Sequence, residues 1–171
     1  MTDMTTKKIY RDVLELSAHL KEKDYEIYVT SGGFDPLHVG HLRCIQESAE
    51  IAQRGSRSGN NWKPGVLVVI VNGDGFLHRK KEYAFMKCKE RMEIIAGLQG
   101  VDYVVEWDDG SQTVCGALEI LNPDFFLKGG DRDNRSNVPE FDVCKEIDCK
   151  VIFNVGGGKV QSSSHLVKKI Q

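Results

Sequence analysis

Two histidines three residues apart, His38 and His41, have the spacing and surroundings of a chemical site. They belong to the string SGGFDPLHVGH, residues 31–41, which also holds three glycines, a proline and an aspartate. The preceding run EIYVT, residues 26–30, is typical of a strand, and helical spacing begins after it. Since residues three apart share one face of a helix, both imidazoles are predicted on one face at a strand-to-helix turn.

This turn has the composition of an anion site. Glycines allow backbone N–H groups to come close to a ligand, and the first turn of the following helix carries partial positive charge. Two imidazoles beside a bound phosphate can donate hydrogen bonds as charge builds on its oxygens. The stretch therefore predicts a polyphosphate site.

The composition excludes several other classes of protein. A chain of 171 residues with net charge −2 fits one domain and argues against a general nucleic-acid binder. No apolar run approaches the roughly 20 residues that span a bilayer, and the first residues lack the apolar stretch of a signal peptide. The five cysteines form no Cys-x-x-Cys pair, so neither disulfides nor a zinc site is expected. We expect a cytoplasmic protein with reduced thiols and no nucleic-acid or membrane partner.

Five predicted strands alternate with helices. The strands are residues 26–32, 66–71, 101–107, 123–129 and 150–155, and the helices are 7–22, 39–54, 86–98, 111–121 (with Ser111 as its cap), 138–147 and 162–170. Residues 55–65 and 72–85 are predicted as loops. The pattern predicts an α/β, Rossmann-like single domain with an about five-stranded parallel sheet and helices on both faces. Residues 1–24 would be an N-terminal helical extension to a domain over residues 25–171.

Other polar segments also follow predicted strands, where the ligands of such sheets bind. Lys80 and Lys81 follow the second strand, although a solvated basic loop would explain them equally well. The Lys-Gly-Gly-Asp of residues 128–131 ends the fourth strand and is hard to explain by packing. Residues 162–164, three serines, open the last helix as a cap, as phosphate ligands, or as both.

The string GGFDPLHVGH resembles the His-x-Gly-His signature of the nucleotidyltransferase superfamily, which also contains the class I aminoacyl-tRNA synthetases. Further segments look like those of members that act on sugar and polyol phosphates: VIVNGD (69–74), ERMEIIAGLQGVDYVV (90–105), LNPDFFLKGGD (121–131) and SSSHLVKKI (162–170). The resemblance extends from about residue 28 to 170. It is closest to bacterial heptose 1-phosphate nucleotidyltransferase domains, and glycerol 3-phosphate cytidylyltransferases are more distant.

The resemblance implies transfer of a nucleotidyl group from ATP or CTP to a phosphorylated sugar or polyol, with release of pyrophosphate. It implies Mg²⁺ carried mainly by the nucleotide, no metal ligand from the protein, and a homodimer. The implied catalytic residues are His38, His41, Lys80 and Lys81. The implied nucleotide-binding residues are Gly32, Gly33, Phe34, Gly40, Lys128, Gly129, Asp131, Ser162, Ser163 and Ser164.

Some interpretations stay open. Asp35 is interpreted as a turn-stabilising residue rather than a metal ligand, and Arg91 as a surface cation of its helix rather than a site residue. Gly33 stands where many relatives carry Thr, Ser or Cys, and Val167 where some carry an arginine that Lys168 or Lys169 would replace. A class I synthetase is disfavoured by the short, acidic chain without a KMSKS-like loop. A catalytically silent nucleotide-binding module is the remaining alternative.

Overall fold

The computed structural model describes residues 8–58, 61–130, 138–158 and 160–170. Its strands are β1 (Ile9–Tyr10), β2 (Glu26–Gly32), β3 (Ser56–Ser58), β4 (Asn61–Lys63), β5 (Gly65–Asn72), β6 (Tyr103–Trp107), β7 (Phe125–Gly129) and β8 (Lys150–Val155). Its helices are α1 (Val13–Lys21), α2 (Val39–Arg54), α3 (Asp74–Lys81), α4 (Cys88–Ala96), α5 (Cys115–Leu121), α6 (Phe141–Glu146) and α7 (Ser163–Lys168).

Six of these strands form one parallel sheet in the order β1-β6-β5-β2-β7-β8. Strand β2 is central, with β5 on one side and β7 on the other. The order of the strands along the chain therefore reverses at β2, which is where open α/β sheets place their ligand crevice. The predicted α/β class is confirmed, with six strands instead of about five.

The sheet is covered on both faces because its strands are apolar on both. In β5, Val66 to Val71 are all buried. Alternate residues of this run enter two separate cores: Val68 and Ile70 pack in the core that includes α1 and α5, and Val69 and Val71 in the core that includes α2 and α4. A continuous apolar run of strand length is the pattern of a strand buried on both faces.

The sixth strand comes from residues that were predicted as part of the first helix. Ile9 and Tyr10 pair with Val104 and Val105 of β6, so their apolar side chains extend the sheet edge. The helix begins only at Val13, after the Asp12 carboxylate accepts a 2.9 Å hydrogen bond from the N–H of Leu14. The prediction of helix over residues 9–12 was wrong because sheet pairing outweighed helical spacing.

Both predicted loops contain regular structure. Residues 55–65 include the antiparallel pair β3–β4. Residues 74–81 form helix α3, whose Phe76 and Leu77 are each 2% exposed and anchor a very polar helix on the core.

Helix α5 starts four residues later than predicted, at Cys115. Ser111 does not cap it, because the Ser111 hydroxyl instead donates to the Asp109 carboxylate at 2.6 Å. In the described ranges no helix is both long and apolar enough to cross a membrane.

Candidate active site

A cavity of about 450 Å³ opens beyond the carboxyl ends of β2, β5, β7 and β8. The predicted site residues in the described part of the chain all line it: Gly32, Gly33, Phe34, His38, Gly40, His41, Lys80, Lys81, Lys128, Gly129, Ser162, Ser163 and Ser164. Asp131 lies outside the described residues. Segments that are up to 132 residues apart in sequence, from Gly32 to Ser164, thus converge on one site at the reversal of strand order.

The two imidazoles are stacked at the first turn of α2. Their ring centroids are 3.7 Å apart with an angle of 18° between the planes. His38 is the N-cap of the helix, and its Nδ1 accepts hydrogen bonds from the N–H groups of Gly40 (3.1 Å) and His41 (3.4 Å). In return, the N–H of His38 donates to His41 Nδ1 at 3.3 Å. The pair is therefore held by a reciprocal cap built from imidazoles.

This cap determines the tautomer of both rings. Because each Nδ1 accepts from a backbone N–H, each neutral imidazole carries its proton on Nε2. Burial is the largest cause that lowers the pKa of His41 from 6.5 to about 3, and the neighbouring His38 and Lys81 contribute to the same shift. His41 is thus a neutral N–H donor at physiological pH. The Phe34 ring packs edge-to-face against the His41 ring, with 5.1 Å between the ring centroids.

Gly40 lies against the His38 ring. A Cβ at this position would stand 3.0 Å from His38 Cε1 and 3.1 Å from His38 Nδ1. A side chain here would require the imidazole to shift by a few tenths of an ångström, so the glycine between the histidines leaves the capping ring in place.

Asp35 holds the loop before the histidines and is fully buried. Its carboxylate accepts hydrogen bonds from the N–H groups of Phe85 (2.5 Å) and Met86 (2.6 Å). The Lys81 ammonium donates to the Asp35 carbonyl oxygen at 3.2 Å. Asp35 was interpreted as a residue that stabilises its own turn, but its carboxylate accepts from N–H groups 50 and 51 residues away and so joins the loop to the segment after α3.

Arg91 is buried and was wrongly interpreted as a surface cation. Arg91 lies in α4, and the residue is 1% exposed. The guanidinium donates to the carbonyl oxygens of Gly33 (2.8 Å), Asn72 (2.6 Å) and Met86 (2.8 Å), and it pairs with the Asp74 carboxylate at 2.7 Å. One side chain thus ties together the loops after β2 and β5, which only a planar group with several donors can do.

Helix α7 forms another wall of the cavity and is attached to the loop that precedes His38. Ser162 is the N-cap and accepts from the N–H of His165 at 3.4 Å. The Ser163 hydroxyl donates to the Pro36 carbonyl oxygen at 2.8 Å. Its proton is already engaged, so Ser163 positions the helix against the loop rather than offering a spare donor. Ser164 lines the cavity beside it.

Several cavity residues were not predicted. They include Asn72, at the end of β5, and three consecutive glycines after β8, Gly156 to Gly158. Asn72 ends a strand and the glycines follow one directly, so the rule that ligands bind beyond strand ends could have found them. Cys44 also lines the cavity, and burial raises the pKa of its thiol.

The donor set of the cavity suits an anion better than a bare cation. Among the described lining residues the polar side chains are imidazole, ammonium, hydroxyl, thiol and amide groups, with no carboxylate. Mg²⁺ prefers oxygen ligands and keeps several waters, so these residues fit an ion that arrives on triphosphate oxygens.

The fold and the site together place this chain in the class of Rossmann-like nucleotidyltransferase domains. The family model described as "Cytidylyltransferase-like" matches residues 29–153, so the chain belongs to that family. This confirms the family resemblance found in the sequence.

Relatives include the bifunctional protein HldE of Nitratiruptor sp., 30% identical over 142 residues, which are 82% of this chain and 28% of the relative. The bifunctional protein HldE of Wolinella succinogenes is 30% identical over 161 residues, 93% of this chain and 30% of the relative. The chain thus spans about a third or less of the length of these proteins.

The crystal structure of the lipopolysaccharide core biosynthesis protein from Thermoplasma volcanium superposes with a TM-score of 0.59. The match covers 78% of this chain and 98% of that one at 21% identity. This likeness shows a shared fold.

Proposed function

We propose that the protein transfers a nucleotidyl group from ATP or CTP to a phosphorylated sugar or polyol and releases pyrophosphate. The observation that carries this proposal is the stacked His38–His41 pair, whose Nδ1 atoms are occupied by backbone N–H groups. Two imidazoles fixed as Nε2–H donors at the switch point of a parallel sheet suit a phosphorus centre on which charge builds. The reduced thiols and the need for NTP favour the cytoplasm as its place of action.

In the proposed reaction, an oxygen of the acceptor phosphate forms a bond to the α-phosphorus of the NTP. The bond between that phosphorus and the bridging oxygen of the β-phosphate breaks, and pyrophosphate leaves with the electron pair. The acceptor phosphate is ionised at neutral pH, so no general base is required. The protein has to position two anions and stabilise the charge of the transition state.

His38 and His41 would donate to the oxygens of the α-phosphate. A neutral imidazole suits this role, because its Nε2–H is present over the whole physiological pH range. Lys80 and Lys81, near the end of α3, would offset the negative charge of the two phosphates. Lys81 Nζ uses one of its three protons on Asp35, so its ammonium is directed by the loop that carries the histidines.

The nucleotide would lie on the side of β7, β8 and α7, against Lys128, Gly129 and the serines. Asp131 is assigned to the same side by the family resemblance. Mg²⁺ would be held by the triphosphate and would neutralise charge on the leaving pyrophosphate.

The proposal is tested by measuring pyrophosphate release from ATP, CTP, GTP and UTP. Each is combined with sugar 1-phosphates or glycerol 3-phosphate, and with no acceptor as the control. We expect release that requires both substrates and is fastest with ATP or CTP. No release with any pair, although an NTP still binds, would instead identify a silent nucleotide-binding module.

A further inference from the structure

The cavity has two chemically different sides, separated by β2. On the side of β7 and β8 lie most of the residues assigned above to the nucleotide. On the side of β5 and α3 lie Asn72, Leu77, Lys80 and Lys81, which we call the acceptor lobe. If the nucleotide occupies the first side, the acceptor must approach the α-phosphorus from the second, because attacking and leaving oxygens lie roughly in line.

Asn72 is rigidly placed in this lobe. It is the last residue of β5 and pairs in register with Trp107 of β6. Its carbonyl oxygen accepts a 2.6 Å hydrogen bond from the buried Arg91. Strand pairing and the Arg91 hydrogen bond therefore both fix its backbone, and the residue lines the cavity with only 6% of its surface exposed.

The Asn72 side chain has an unused hydrogen-bond acceptor. Its Oδ1 atom is buried and has no partner within the described residues. A buried polar atom without a partner is unfavourable and is rare in folded proteins unless a ligand or water completes it. Because the terminal torsion of asparagine is broad, a small rotation can direct this oxygen toward a ligand.

The missing partner must be a hydrogen-bond donor. An ionised phosphate offers only acceptor oxygens, so it cannot satisfy Oδ1, although it suits the two lysines of the same lobe. An ammonium group on the ligand would be repelled by Lys80 and Lys81. A hydroxyl group close to a phosphate satisfies the amide oxygen and both cations together.

We propose that Asn72 is a specificity-determining residue that accepts a hydrogen bond from a hydroxyl group of the acceptor. The acceptor is then a polyhydroxylated phosphate, a sugar or polyol phosphate, rather than an amino-alcohol phosphate or an alkyl phosphonate. This inference rests on the proposed nucleotidyl transfer and defines its second substrate.

The test compares the KM values of both substrates in Asn72→Leu, which keeps the size of the side chain and removes the acceptor atom. Glycerol 3-phosphate, glucose 1-phosphate, mannose 1-phosphate and their monodeoxy analogues serve as acceptors. We expect the KM of the hydroxylated acceptor to rise at least about tenfold, while the KM of the NTP stays within about twofold. One deoxy analogue should have the same KM with wild type and variant, because it lacks the partner hydroxyl.

Asn72→Thr, which retains an acceptor oxygen and suits a strand, should restore much of the affinity; a thermal melt shows that each variant is folded. If Asn72→Leu does not fold, Asn72→Ala is measured in the same way. An unchanged KM for all acceptors, or an equal rise in the KM of the NTP, overturns the role of Asn72 alone. A wild-type protein that releases no pyrophosphate with any pair overturns the proposed function as well.

Discussion

The chemistry at His38 and His41 depends on which ring nitrogen carries the proton. Their spacing in the sequence indicates a shared face, but only the contacts of the two Nδ1 atoms determine the tautomer. A stacked pair with centroids 3.7 Å apart cannot easily hold two positive charges. The site therefore uses neutral donors, and the positive charge comes from the lysines.

The first prediction concerns the pKa of His41. Nitrogen-15 NMR should show the Nε2–H tautomer of His41 persisting as the pH falls from 7 to about 4, since burial lowers its pKa to about 3. In that range the unfolded chain binds a proton near pH 6.5 and the folded state does not. The free energy of unfolding should therefore decrease as the pH falls from about 6.5 toward 3. A His41 that titrates near 6.5 in the folded protein would contradict this assignment.

The second prediction concerns the glycine between the histidines. Gly40→Ala places a Cβ 3.0 Å from the His38 ring, so the ring must shift by a few tenths of an ångström. We expect kcat to fall by at least about tenfold with little change in the melting temperature. Gly97→Ala is the matched control, since Gly97 lies outside the cavity and a Cβ there comes no closer than 3.5 Å to its neighbours. Equal kcat values for the two variants would show that the His38 position is not critical.

At the scale of elements, α4 organises the site through Arg91. Its guanidinium joins the ends of β2 and β5 to the segment before the helix. The ends of these two neighbouring strands are thus fixed relative to each other by one buried group.

The third prediction follows from this arrangement. Arg91→Met removes the donor to three carbonyl oxygens and leaves the Asp74 carboxylate without its cationic partner. We expect a loss of about 3 kcal/mol in the free energy of unfolding, measured by urea denaturation. Lys89→Met, on an exposed position of the same helix, is the control and should change it by less than about 0.5 kcal/mol. A loss no larger than that of the control would mean that Arg91 is dispensable.

The helices and strands whose own sequence has a clear helical or strand pattern were predicted well. Helix α2 was predicted with its observed bounds, and β2, β5, β7 and β8 lie where apolar runs of strand length indicated them. The elements that were predicted wrongly depend on tertiary contacts. Ile9 and Tyr10 become a strand because β6 offers a free edge, and α3 forms because two apolar residues reach the core. Nothing in the surrounding sequence indicates that Arg91 is buried, because three of its partners, Gly33, Asn72 and Asp74, are distant in sequence.

At the scale of the whole molecule, the site exists because the strand order reverses at β2. Four strand ends and three helices supply its walls, and most of them are far apart in sequence. A ligand that touches both sides of the reversal must therefore stabilise the entire sheet and not one loop.

The fourth prediction concerns this stabilisation of the sheet by a bound ligand. ATP or CTP with Mg²⁺ should raise the melting temperature, since a ligand at a hundred times its dissociation constant adds about 2.7 kcal/mol of stability. For a domain of this size that corresponds to roughly 5–10 °C. The preferred nucleotide should give the largest shift in differential scanning fluorimetry. Equal shifts with all four nucleotides would show that the site does not select the base.

The central claim is that the imidazole pair stabilises the transition state of nucleotidyl transfer. It is tested most directly by comparing kcat for pyrophosphate release in wild type and His41→Ala, together with the dissociation constant of the NTP. We expect kcat to fall by about 100-fold or more, as for the loss of one donor to a developing oxyanion, while nucleotide binding changes much less. A His41→Ala variant with wild-type turnover would contradict the account.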